Sequence, residues 1–119
     1  MVPDLLRRTL LAAGPLPNSS AGFHDGVCAA LSRAGWAVER EFRVEAVPGR
    51  GGPRSGRVDL VARKGEAAVA VELDRLSPRR KSLAKLRASG FGHRVVILRR
   101  PCAPLEVDGV TVFGLEVIQ

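Results

Sequence analysis

The stretch from Gly56 to Leu86, GRVDLVARKGEAAVAVELDRLSPRRKSLAKL, limits what this chain can fold into more than any other. Lys64-Gly65-Glu66-Ala67 separates two runs rich in Val, Leu and Ala, and Gly meets the positive-φ demand of a short hairpin loop. With Gly65 and Glu66 as the loop, Lys64 pairs with Ala67, and Asp59 falls opposite Glu72. Side chains alternate along a strand. Val58, Leu60 and Ala62 are therefore expected on one face, and Asp59, Glu72 and Asp74 on the other. Like charges across a strand pair are destabilising. Three carboxylates on one face of otherwise apolar strands either stay solvated on an edge hairpin or hold a divalent cation, which turns their repulsion into attraction.

A Ser77-Pro78 cap and N1 pair after the hairpin predicts a helix to about Ala88. Leu76, Leu83 and Leu86 form its apolar stripe, with Lys81 and Lys85 one turn apart on roughly the opposite side. The apolar run His93–Leu98 reads as a buried strand, parallel to the Glu72 strand through a helical crossover. Upstream, Pro3–Ala13 forms an amphipathic helix on Leu5, Leu6 and Leu10, ended by Gly14-Pro15-Leu16-Pro17. Asn18, Ser19 and Ser20 offer caps for a second helix, 21–34, with Phe23, Val27, Ala30 and Leu31 at helical spacing and Gly35 as its stop. Residues 36–44 alternate as a half-exposed strand, with Trp36, Val38, Phe42 and Val44 directed to the core. Residues 48–56 form a glycine-rich loop carrying Arg50 and Arg54, Asp108-Gly109 a turn, and residues 110–118 a final strand.

The resulting fold class is α/β: a mixed sheet of about five strands with helices on both faces, in the order α-α-β-β-β-α-β-β. The chain of 119 residues suits one domain, with 1–17 a helical extension, 18–100 the core and 101–119 a C-terminal strand.

Charge narrows the partner. The formal net charge is +7, and between Arg75 and Arg100 there are nine basic residues and no acidic one. That clustering fits a polyanion. Arg50, Arg54, Arg57, Arg75, Arg79, Arg80, Lys81, Lys85 and Arg87 are the candidate nucleic-acid contacts. With no Tyr and few other aromatics, stacking on single strands is poorly equipped. GRGGPRSG lacks the ending of a P-loop, and the two histidines and two cysteines sit in no catalytic or zinc-ligand motif. Cys28 and Cys102 read as reduced thiols of a cytoplasmic protein, and no apolar run approaches the roughly 18 residues of a membrane span.

Asp59 in GRVDLVA and Glu72 in VAVELD, each among apolar residues on consecutive strands, resemble the PD-(D/E)XK nuclease superfamily. The resemblance covers roughly residues 20–100, including GWAVEREFRV after the first core helix, and departs from the family where Asp74 stands in place of the usual Lys. It implies a restriction-endonuclease-like fold and a small Mg²⁺- or Mn²⁺-dependent endonuclease hydrolysing phosphodiester bonds in DNA. Asp59 and Glu72 would hold the ion, with the Leu73 carbonyl completing the set and Asp74 as a further ligand. The missing Lys would be supplied by Lys81 or Lys85. The family's first-helix Glu falls at His24, beside Asp25. Two other readings stay open: an inactive nuclease-like fold binding nucleic acid or a protein partner, and a structural or inhibitory protein with an Arg-rich surface. The sequence does not choose between a monomer and a homodimer.

Overall fold

A computed structural model describes residues 1–118. Among them run helices α1 (Val2–Ala12), α2 (Ser20–Arg33) and α3 (Arg80–Ala88). The strands are β1 (Leu16–Pro17), β2 (Ala37–Val47), β3 (Arg54–Lys64), β4 (Ala67–Asp74), β5 (His93–Leu98), β6 (Cys102–Val107), β7 (Val110–Gly114) and β8 (Val117–Ile118). Six strands form one mixed sheet in the order β2-β3-β4-β5-β7-β6, and β1 pairs with β8 beside it. The α/β class holds, with one strand more in the main sheet than the sequence suggested.

The central hairpin has the expected register. Lys64 pairs with Ala67 and the ladder runs to Leu60 opposite Val71, with Gly65 at φ 60° in the loop. Strands β4 and β5 are parallel, joined through α3, and β7 continues the parallel block. The strand at Cys102–Val107 was not foreseen. It is an outer strand holding Pro104, paired with β7 through the Asp108-Gly109 turn, both of whose residues have positive φ. Pro removes a ladder donor, so it is tolerated only at such an edge. The expected strand over 110–118 is broken into β7 and β8, and β7 lies inside the sheet.

Two cores sandwich the sheet. On one face Leu6, Leu10, Phe23, Val27 and Leu31 of α1 and α2 pack on Leu60, Val71, Val95, Ile97 and Phe113. On the other, Leu83 and Leu86 of α3 pack on Val58, Val61, Ala70, Val96 and Val112. Fully burying such side chains contributes roughly 1.5–3 kcal/mol each. Leu5, at 39% exposure, lies outside the α1 stripe assigned to it.

Simple alternation fails at one place, and that place matters. Val58 lies on the α3 face and Leu60 on the α2 face, two residues apart where period two would put them together. Strand β2 does the same: Val38 packs on the α2 core, while Phe42 and Val44 join the α3 core. The two strands stay in register, Arg40 with Leu60 and Phe42 with Val58. Between those pairs sit Glu41, at φ 53°, and Asp59. A left-handed residue rotates the chain and exchanges its faces. Strands β2 and β3 therefore switch faces beside Asp59, while β4 and β5 keep alternating between the two cores.

The helix after the hairpin also starts later than its Ser77-Pro78 signal. Its N-cap is Arg79, whose side chain makes no cap bond. Asp74 anchors the start instead: its carboxylate accepts from the Arg79 backbone N–H at 3.0 Å, from Arg79 Nε at 3.0 Å and from Ser82 Oγ at 2.9 Å. The segment before the helix leaves Leu76 56% exposed, outside the stripe formed by Leu83 and Leu86.

Candidate functional site

Where the faces exchange, the β3–β4 ladder opens and side chains replace its backbone bonds. Glu72 Oε2 accepts the Asp59 backbone N–H at 2.7 Å. Asp59 Oδ2 accepts the Leu73 N–H at 2.7 Å. Each carboxylate thus takes an amide of the opposite strand, a charge-assisted bond stronger than the neutral one it replaces. One step beyond the last ladder pair, Leu60 with Val71, both acids are tied to the opening rather than left solvated.

Glu72 is fully buried. Its Oε1 lies 2.7 Å from Lys85 Nζ, a close ion pair whose angle is not that of a hydrogen bond. Lys85 is itself largely buried, 17% exposed in its side chain, and donates at 2.9 Å to the Arg57 carbonyl. The sequence put both lysines opposite the leucine stripe. Only Lys81 is exposed; Lys85 reaches under the helix to the sheet. Burial, then repulsion from Asp59, push the Glu72 carboxyl up from 4.5 to about 7, against the pull of Lys85 and the Asp59 amide.

Asp74 does not join them. All its hydrogen bonds go to Arg79 and Ser82, so it serves the start of α3. Among the described residues no three His, Cys, Asp or Glu side chains gather closely enough to hold a metal together. The expected three-carboxylate face is thus divided. Period-two alternation presumes an intact ladder, and here the ladder opens.

Asp59 faces a cleft of about 270 Å³ at the C-terminal ends of β4 and β5, lined also by Ser20, His24, Asp74, Arg75, Arg79 and Arg99. Ser20 opens α2, whose N-cap Ser19 accepts the Gly22 N–H at 3.0 Å. The positive end of that helix dipole, Arg75 and Arg99 offset the charge of Asp59, while Arg79 is paired with Asp74. Crevices outside the carboxyl ends of parallel strands are the usual ligand sites of α/β sheets. Of the first-helix pair, His24 lines this cleft, while Asp25 meets Arg40 at 2.8 Å on the exposed side. Ser20 and Arg99 were missed by the sequence reading. Their signal was position: a cap-region serine, and a basic residue just past the end of a parallel strand.

On the other side of the start of α3 lies a second cleft, of about 620 Å³, between the 48–56 loop and the helix. It takes Arg50, Arg54, Arg80, Lys81 and Lys85 of the predicted contacts. Arg57 is exposed beside it, and Arg87 lies 3.5 Å from Asp108.

The donor chemistry at Asp59 and Glu72 suits a hard cation such as Mg²⁺ or Mn²⁺. Glu72 Oε1 is buried without a hydrogen bond, and Asp59 Oδ1 has no partner among the described residues. Glu72 Oε1 already meets Lys85 Nζ at 2.7 Å, so Asp59 Oδ1 is the uncommitted oxygen, and carboxylate oxygens are what such ions take. Among the described residues no helix is long and apolar enough to cross a membrane, and both cysteines are free thiols. No protein-family model matches the chain, and no curated protein matches it in sequence.

Proposed function

We propose that the chain is a small metal-dependent endonuclease of PD-(D/E)XK type, hydrolysing phosphodiester bonds in DNA in the cytoplasm. One observation carries the reading: the strands open at Asp59 and Glu72, and Lys85 arrives from α3 at the buried acid. A lysine from the next helix thereby supplies the positive charge that Asp74, in the position usual for Lys, does not.

Asp59 and Glu72 would hold the Mg²⁺, with the Leu73 carbonyl as a third donor. The bound ion would supply positive charge to the scissile phosphate and lower the pKa of an attacking water. Arg75, Arg79 and Arg99 orient the phosphate in the cleft that Asp59 faces, and His24 stands at its edge. Lys85 balances the charge of Glu72 and stays tethered by the Arg57 carbonyl whatever else Glu72 engages. Asp74 acts through the helix, fixing the first turn of the element that carries Lys85.

Plasmid nicking in Mg²⁺ or Mn²⁺ tests the reading. Wild type should nick; Asp59→Ala and Lys85→Ala should not. Absence of nicking in wild type with either ion would leave the second reading, an inactive nuclease-like fold that binds nucleic acid. The commitment of Asp74 to the helix start speaks for that alternative.

A further inference from the structure

We infer that the cleft between the 48–56 loop and α3 is a holding site for the phosphodiester backbone of duplex nucleic acid, separate from the Asp59 cleft and continuous with it over the start of the helix. The inference rests on the nuclease reading for what the duplex is held for, and on this cleft alone for the binding itself. Arg50, Arg54, Arg80 and Lys81 line the cleft, no acidic residue does, and none of the four pairs with a carboxylate among the described residues. The other lining cation, Lys85, is committed to Glu72.

The four are arranged at some cost to the free protein. Arg80 and Lys81 occupy the first turn of α3, which contains no acidic residue. Cations there oppose the helix dipole, where an acid would be favoured. Arg54 folds its guanidinium back onto the Arg50 carbonyl at 2.8 Å, bringing both loop arginines to one rim. A polyanion turns these repulsions into attraction by displacing counterions. The rest of the lining is small or aliphatic, including Val47, Pro48 and Ala84, and no aromatic ring is present, so bases have nothing to stack on. That favours a duplex, read through its backbone, over a single strand.

Continuity comes from adjacent residues. Arg79 lines the Asp59 cleft and Arg80 this one. Gly56 lines this cleft three residues before Asp59 lines the other. A backbone crossing the start of α3 meets arginines on both sides of the opened strands.

The test is binding of a fluorescein-labelled DNA duplex in EDTA, where no metal-dependent cleavage occurs, followed by anisotropy over a salt series. Wild type should show a steep fall of log K with log salt. The variant Arg50→Ala/Arg54→Ala/Arg80→Ala/Lys81→Ala should bind at least about tenfold more weakly, with a slope shallower by about 3–4, one counterion per phosphate released. All four side chains are exposed, and an unchanged melting curve confirms that the variant is folded. Duplex RNA binding with the same slope change supports the same backbone chemistry from the other source. An unchanged slope, tighter binding of single strands than of duplex, or preference for anionic lipid vesicles over duplex would each overturn the inference. Duplex binding by a wild type that never nicks would retain the holding site and remove the hydrolase.

Discussion

Glu72 makes the stability of this protein depend on pH in a defined window, and Glu72→Gln should remove that dependence. The carboxyl is fully buried beside Asp59, and its pKa rises from 4.5 to about 7 on folding. Between those values the folded chain keeps a proton that the unfolded chain has released. The stabilisation is therefore fully present below pH 4.5, shrinks as pH rises, and is gone above about 7. At ~1.4 kcal/mol per pKa unit the shift amounts to about 3 kcal/mol. Gln keeps the shape and can still accept the Asp59 amide, but it has no proton to exchange. Urea unfolding of both proteins across the window isolates Glu72 and the Asp59 charge coupled to it, because the carboxylates remote from Glu72 contribute to each alike. The wild-type advantage over Glu72→Gln should fall by about 3 kcal/mol from the acid to the alkaline end. A difference independent of pH would refute the reasoning. Glu72 would then titrate as an ordinary carboxyl, and the Lys85 pair would outweigh its burial.

Asp74→Ala should cost about 2–4 kcal/mol in urea unfolding, because it leaves the Arg79 amide and the fully buried Ser82 hydroxyl without an acceptor. A loss below ~1 kcal/mol would show that Asp74 does not anchor α3. Gly114→Ala should cost about 3 kcal/mol, since its Cβ would overlap the Arg100 carbonyl oxygen and lie 2.9 Å from both Cβ and N of Cys102. Gly92→Ala, with no atom near its added Cβ, is the control and should fall within ~0.5 kcal/mol of wild type. Glu41→Gly should stabilise by roughly 0.5–1 kcal/mol if the left-handed residue at the face switch is strained. A destabilised Glu41→Gly would place the cost of the switch elsewhere.

The sequence by itself determined what depends on neighbours along the chain. The glycine loop set the hairpin register, Ser19 capped α2, and the helix between two apolar strands made β4 and β5 parallel. Those rules act over a few residues, so they survive without knowledge of the fold. They also brought Asp59 and Glu72 together across the hairpin. Tertiary structure decided what each acid then does. Alternation put Asp59, Glu72 and Asp74 on one face, but Glu41 takes a left-handed turn on β2, and β2 and β3 exchange faces beside Asp59 while β4 does not. Asp74 found Arg79 and Ser82 because α3 folds back over the strand end, where an unanchored helix start needs an acceptor. Lys85 looked like a surface cation, since a helical wheel reports direction from the axis and not the reach of a four-carbon stem. Whether that stem ends in solvent or against a buried carboxylate depends on the depth of the sheet beneath it, and only packing sets that depth.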